Sequence, residues 1–153
     1  MTLENDIEIL KKVEFFQEFQ SEPLRLLAFS AESREFADRA VLFNEGDYAD
    51  SAYVVLSGRI DLTHAGNGQQ TLLTSLGPSN LIGELALIID TVRPARAISI
   101  GRSRVLMIRR QTFRRVLTEY ADIPALLARR LTDRIAGLTP DLDRIRAHLD
   151  SAE

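Results

Sequence analysis

The sequence predicts a mainly β protein with flanking helices, built as an antiparallel β-roll or jelly roll (a double-stranded β-helix). Short β-prone runs recur at regular spacing in the middle of the chain, each closed by a glycine, asparagine or aspartate turn. Apolar residues step by three or four before residue 30 and again after residue 110. With 153 residues and no linker, repeat or low-complexity stretch, the chain reads as one domain over 1–153. Residues 1–30 are its N-terminal helices, 31–109 the roll and 110–153 the C-terminal helices.

Ile7, Leu10 and Val13 repeat at helical spacing, and Phe15, Phe16 and Phe19 follow as an aromatic turn. Ser21 is read as an N-cap with Pro23 in the first turn, and Leu24, Leu26, Leu27 and Phe29 line the second helix. The strand runs are Val41–Phe43, Ala52–Leu56, Ile60–Thr63, Thr71–Leu76, Ala95–Ile100 and Arg104–Ile108. Asn44-Glu45-Gly46-Asp47, Ser57-Gly58 and Gly77-Pro78 are read as turns between them. Leu81–Asp90 is too helix-prone for a strand. Beyond Arg110, Phe113, Val116 and Leu117 share a face. A seam from Leu127 to Leu149 follows, broken at Gly137 and Pro140, and it suits packing on the roll or pairing with a second copy.

Composition excludes several classes. Hydrophobic residues at 45% and charged residues at 27% describe an ordinary globular chain, and no run approaches a membrane span. There is no cysteine, which excludes disulfides and thiolate metal sites and suits a reducing cytoplasm. Only His64 and His148 are present, so neither a histidine metal centre nor a triad is apparent, and no enzyme is expected. The net charge of −3 gives no general attraction to nucleic acid. Residues 92–115 hold eight arginines and no acid, yet no aromatics interleave Arg102, Arg104, Arg109, Arg110, Arg114 and Arg115 as in single-strand binders. These arginines are read as a wet face paired with acids elsewhere. Thr139–Glu153 is too short for a DNA-binding three-helix unit, so neither DNA nor a membrane is an expected partner.

One constellation carries chemistry. Gly83 opens a short helix, exposing backbone N–H groups that favour an anion. Glu84 accepts from a neutral hydroxyl, and Arg93, ten residues after Gly83, offers a planar fork of donors to a phosphate. One guanidinium beside one carboxylate suits a phosphate next to a sugar hydroxyl, as in a cyclic nucleotide.

Leu81-Ile82-Gly83-Glu84-Leu85-Ala86-Leu87-Ile88 with Arg93 resembles the phosphate-binding cassette of cyclic-nucleotide-binding domains, here spanning 81–97. Phe43-Asn44-Glu45-Gly46-Asp47 with Tyr53, Ser57-Gly58-Arg59-Ile60 and Leu76-Gly77-Pro78 resemble the same family's turns. The resemblance implies a ligand site at Gly83, Glu84, Leu85, Ala86, Arg93, Pro94 and Ala95, with Glu84 on the ribose, Arg93 on the phosphate and a C-terminal helix over the base. It implies a cyclic nucleotide as ligand, no cofactor, and an effector protein as partner. It also raises a homodimer through the C-terminal helices. Pro94 departs from the pattern, because it lacks the N–H that the family offers the phosphate there. Arg96 stands where the family has a threonine, and its charge is expected to compensate in part. Pro94 cannot supply the hydroxyl that cGMP-selective relatives carry at that place, so cAMP is favoured over cGMP. The alternative is a degenerate domain that binds no ligand and serves as a protein-interaction module.

Overall fold

A computed structural model describes residues 3–17 and 19–120. The expectations for the seam from Leu127 to Leu149, including dimerisation, lie outside those residues.

Helix α1 (Leu3–Lys12) buries Ile7 and Leu10 on one face. A 3-10 turn (Glu14–Phe16) then buries Phe15 and Phe16, and helix α2 (Ser21–Ser30) buries Pro23, Leu24, Leu27 and Ala28. The cap position of α2 is Gln20, not Ser21, and no side chain bonds there. Proline at the third helical position lacks an N–H that the first turn leaves unpaired anyway. The aromatic turn meets Phe113 of helix α3 (Arg110–Glu119), with Phe15, Phe16 and Phe19 rings 6.0, 6.4 and 6.3 Å from it.

Between the helices lie eight strands: β1 (Glu32–Phe36), β2 (Val41–Phe43), β3 (Tyr48–Ala49), β4 (Ser51–Gly66), β5 (Gln69–Leu76), β6 (Leu81–Ile82), β7 (Thr91–Val92) and β8 (Arg96–Arg109). One sheet runs β1-β8-β4-β5, with β2 added on β8 and β6 on β4, and β3 pairs β7 in a second small sheet. All pairings are antiparallel. This is the mainly β roll with flanking helices that the sequence predicts.

The predicted turn at Ser57-Gly58 proves to be a bulge, and two pairs of predicted strands merge. The runs 52–56 and 60–63 are one strand, β4, and the runs 95–100 and 104–108 are one strand, β8. Gly58 sits at φ +88°, and the β4–β8 register shifts on both sides of Ser57. A bulge places an extra residue in one strand and lets the ladder continue. Strand β1 escaped the sequence reading because it is exposed along nearly its whole length and carries no apolar alternation. Pairing with β8 holds it, helped by Arg102–Glu35 at 2.9 Å and Arg109–Glu32 at 3.2 Å.

The two long strands divide two cores by parity. Ala52, Val54 and Leu56 face the helices with Leu106 and Ile108. Tyr53 and Val55 face the interior of the roll with Phe43, Ile82, Ala97, Val105 and Met107. Side chains alternate along a strand, so one sheet serves both faces.

A Cβ on residue 58 would lie 2.4 Å from Ser103 Oγ and 2.6 Å from the Arg102 carbonyl oxygen. Gly101 also has positive φ, at +72°, but nothing lies within 4 Å of its Cβ position. Gly58→Ala is therefore expected to cost about 2–4 kcal/mol, against about 1–2 kcal/mol for Gly101→Ala. Urea denaturation of the two variants checks this; equal losses would mean the contact with Ser103 carries no weight.

Candidate functional site

The segment 81–97 folds as β6, a short 3-10 turn and β7 and then enters β8, so the helical character expected over Leu81–Asp90 is confined to Glu84–Leu87 and its first two residues form a strand. Gly83 takes the left-handed conformation, φ 78° and ψ 37°, and opens a 3-10 helix over Glu84–Leu87. Ala86 and Leu87 are buried against the sheet. The amide of Ala86 donates to the Gly83 carbonyl at 3.0 Å, so it is engaged within the turn.

Arg93 is brought to Gly83 by backbone ties. Its N–H donates to the Asp47 carbonyl and its own carbonyl accepts from Gly46, both at 2.8 Å, and Tyr48↔Val92 and Ala49↔Thr91 pair beside them. The Asn44–Asp47 turn thus fixes where Arg93 leaves the chain. Its side chain turns inward and is only 3% exposed. Nη2 donates to Ser51 Oγ at 3.2 Å. The guanidinium carbon lies 4.3 Å from the Phe43 ring centroid and 5.6 Å from that of Tyr53. Nε and Nη1 are buried without a hydrogen-bond partner. Among the described residues no carboxylate pairs with Arg93. Burial pulls its pKa below the ordinary arginine value, with Tyr53, Asp50 and Asp47 acting against that. Gly83 makes the arrangement possible, since a Cβ there would lie 2.5 Å from Arg93 Nη1.

The other predicted site residues fall around this pair. Ala95 is buried, and Pro94 is exposed in the bend after Arg93. Leu85 is half-buried. Glu84 lines a cavity of about 300 Å³ with Lys12, Val13, Phe15 and Asn80, and Arg93 is not among its lining residues. The structure therefore unites Gly83 with Arg93 but does not bring Glu84 and Arg93 onto that shared wall. Ala97 packs with Phe43 and Tyr53. Strand alternation sends its neighbour Arg96 to the opposite face of β8. The compensation expected from Arg96 gains no support from that parity.

Sequence reasoning missed the neighbours of Arg93 and misplaced Arg110. In the sequence Phe43 and Tyr53 stand out as part of the turn pattern that resembles the family, not as company for Arg93. No signal in the sequence around Arg93 announces them, because a buried guanidinium more commonly meets a carboxylate. Arg102 and Arg109 do pair with acids on an exposed face, whereas Arg104 pairs with Asp6 with both side chains mostly buried, so it is not part of a wet face. Arg110 does not belong to that face either, because it is 8% exposed at the start of α3. Its Nε donates to the Ala86 carbonyl and its Nη2 to the Ala49 carbonyl, each at 2.8 Å. Nη2 also reaches the Tyr48 hydroxyl at 3.2 Å, and Nη1 pairs with Asp90. Burial disfavours its charge, but the Tyr48 hydroxyl and Asp90 outweigh that and hold its pKa above the ordinary value. Arg110 thus pins α3 to the turn that carries Gly83.

Among the described residues, no group of three or more His, Asp or Glu is placed to hold a metal ion, and no helix is long and apolar enough to cross a membrane.

Comparison with known proteins adds the following. Residues 33–120 match the family described as cyclic nucleotide-binding domain. A CRP-like cAMP-activated global transcriptional regulator of Mycobacterium tuberculosis is 28% identical over 129 residues, covering 84% of this chain and 58% of that protein. A cyclic AMP receptor protein of Thermus thermophilus is 37% identical over 107 residues, covering 66% of this chain and 48% of that protein. The chain spans about half the length of these curated relatives. Among solved structures, a cyclic nucleotide-binding-like protein from Brucella abortus aligns with a TM-score of 0.70 at 40% identity, covering 74% of this chain and 98% of that one. The N-terminal domain of a transcriptional regulator from Streptomyces coelicolor aligns with a TM-score of 0.81 at 26% identity, covering 88% and 94%.

The Asp90 carboxylate lies below its ordinary pKa of 3.8, chiefly through Arg110 and then Tyr48. A depressed carboxylate stabilises the fold above its unfolded value and loses that contribution as pH falls through the folded value. Asp90→Asn is thus expected to melt lower than the parent at neutral pH, with the gap closing below pH 3.8. Melting curves by circular dichroism from neutral pH, where the carboxylate is ionised, down to about pH 2.5 read this directly. A gap that persists unchanged at the acid end would remove the Arg110–Asp90 pair from the account.

Proposed function

This chain belongs to the cyclic nucleotide-binding domain family, and we propose that it takes up cAMP as a regulatory ligand and does no chemistry on it. One observation carries the proposal: a guanidinium buried beneath Gly83 with Nε and Nη1 unpartnered. A buried donor without an acceptor costs about 1–3 kcal/mol, and more when charged. An anion that enters there recovers that loss, and a cyclic phosphate carries the single negative charge required. Gly83, Glu84, Leu85, Ala86, Arg93, Pro94 and Ala95 form the proposed contact set, with Glu84 toward the ribose. The preference for cAMP over cGMP rests on Pro94, which offers no hydroxyl to a guanine. That two relatives are named for cAMP supports the same choice.

The proposed output is a population shift. A ligand that pulls on the 84–87 turn acts on the Ala86 carbonyl, which Arg110 grips from the first residue of α3. Movement of the turn is passed to α3, and from there to an effector protein. Pro94 also motivates the second reading, a domain that has lost its ligand and binds another protein instead.

Calorimetric titration is expected to show cAMP binding more tightly than cGMP. Arg93→Leu should weaken cAMP roughly ten- to a hundredfold, from the loss of charge-assisted bonds of about 1.5–3 kcal/mol each. At 100 times its dissociation constant the ligand should stabilise the fold by about 2.7 kcal/mol. If neither nucleotide raises the melting temperature at millimolar concentration, the interaction-module reading replaces this one.

A further inference from the structure

We infer that Phe43, with Tyr53, is a positioning residue for the bound anion: the two rings hold the Arg93 guanidinium by its flat face and so leave its in-plane donors without a protein partner. The inference rests on the cyclic-nucleotide reading of the site and names how that site is kept ready.

A buried cation is normally matched by a carboxylate, because removing a charge from water is costly. Arg93 has no such partner among the described residues. Its contacts are the Phe43 ring at 4.3 Å, the Tyr53 ring at 5.6 Å and the Ser51 hydroxyl. An aromatic ring attracts a cation through its π-face and stacks on the guanidinium plane. A carboxylate binds the edge of the same group, where the N–H donors lie. Face and edge do not compete. The rings therefore offset part of the cost of burial while leaving Nε and Nη1 without a partner. A carboxylate in their place would occupy the donors, and an incoming phosphate would have to displace it.

The rings are themselves fixed. Phe43 ends β2 and pairs with Ala97, Tyr53 lies within β4 opposite Met107, and the two ring centroids are 5.9 Å apart. The acids that act on Arg93 through space are Asp50 and Asp47. Without the rings the guanidinium is drawn toward those acids, and a ligand must first win it back. The fraction of protein ready to bind falls, and apparent affinity falls with it.

Replacing Phe43 by pentafluorophenylalanine keeps the shape of the ring and reverses the sign of its face. Calorimetry is expected to show cAMP binding about three- to thirtyfold more weakly in that protein, with Phe43→Tyr within about twofold of the parent. Affinity unchanged or improved on fluorination would overturn the inference. Melting temperatures of ligand-free Phe43→Leu, Arg93→Met and the double variant form a second test. Coupled losses support the face-on hold, and additive losses refute it. If the parent protein binds neither cAMP nor cGMP, the ligand reading fails on its own, and this thermal cycle still decides whether Phe43 holds Arg93.

Discussion

A positive charge enclosed in an apolar interior without a negative partner is the constraint around which this fold is arranged. Arg93 is placed by two backbone hydrogen bonds to the Gly46–Asp47 segment rather than by its own side chain. The turn that supplies those bonds needs Gly46 at φ +88° and the Asp47 carboxylate on the Asn44 amide. The guanidinium fits against residue 83 only because that residue has no side chain. Strands β2 and β4 deliver the two rings below it. The contacts around one charge thus tie together residues from Phe43 to Arg93.

Arg110 shows the opposite solution to the same problem. It is nearly as buried as Arg93, yet two carbonyls, a hydroxyl and Asp90 satisfy it. The electrostatics follow suit: the pKa of Arg110 lies above the ordinary value and that of Arg93 below it. A saturated cation acts as a structural pin, whereas Arg93 keeps two donors without a protein partner. The pin grips the Ala86 carbonyl three residues from Gly83, so the two arginines bracket one short turn.

Much of this was legible in the chain itself. Helical stepping in residues 7–27 and the aromatic run located α1, α2 and their junction, because burial against a core imposes that period. Val41–Phe43 was placed to the residue. Gly83 and Arg93 were paired from spacing and resemblance, and they meet. What stayed hidden was non-local. Nothing near residue 58 distinguishes a glycine that reverses the chain from one that lets a strand run on, since both need positive φ. Strand β1 has the composition of a loop and becomes a strand only through β8. The rings under Arg93 arrive from strands forty and fifty residues away, so nothing local to Arg93 announces them.

The bulge at Gly58 has a wider consequence. Before it, odd-numbered residues of β4 such as Tyr53 and Val55 face the roll interior; after it, even-numbered Ile60 and Leu62 do. The strand's reading frame is reset at that point. The half toward Ser51 answers to the helices and to Arg93, while the half toward Gly66 answers to its hairpin with β5. Lengthening or shortening the hairpin tip leaves the inward parity of the Ser51 half untouched. Both halves still pack into one core, so a single bulge lets one strand present inward side chains on either side of a change in register.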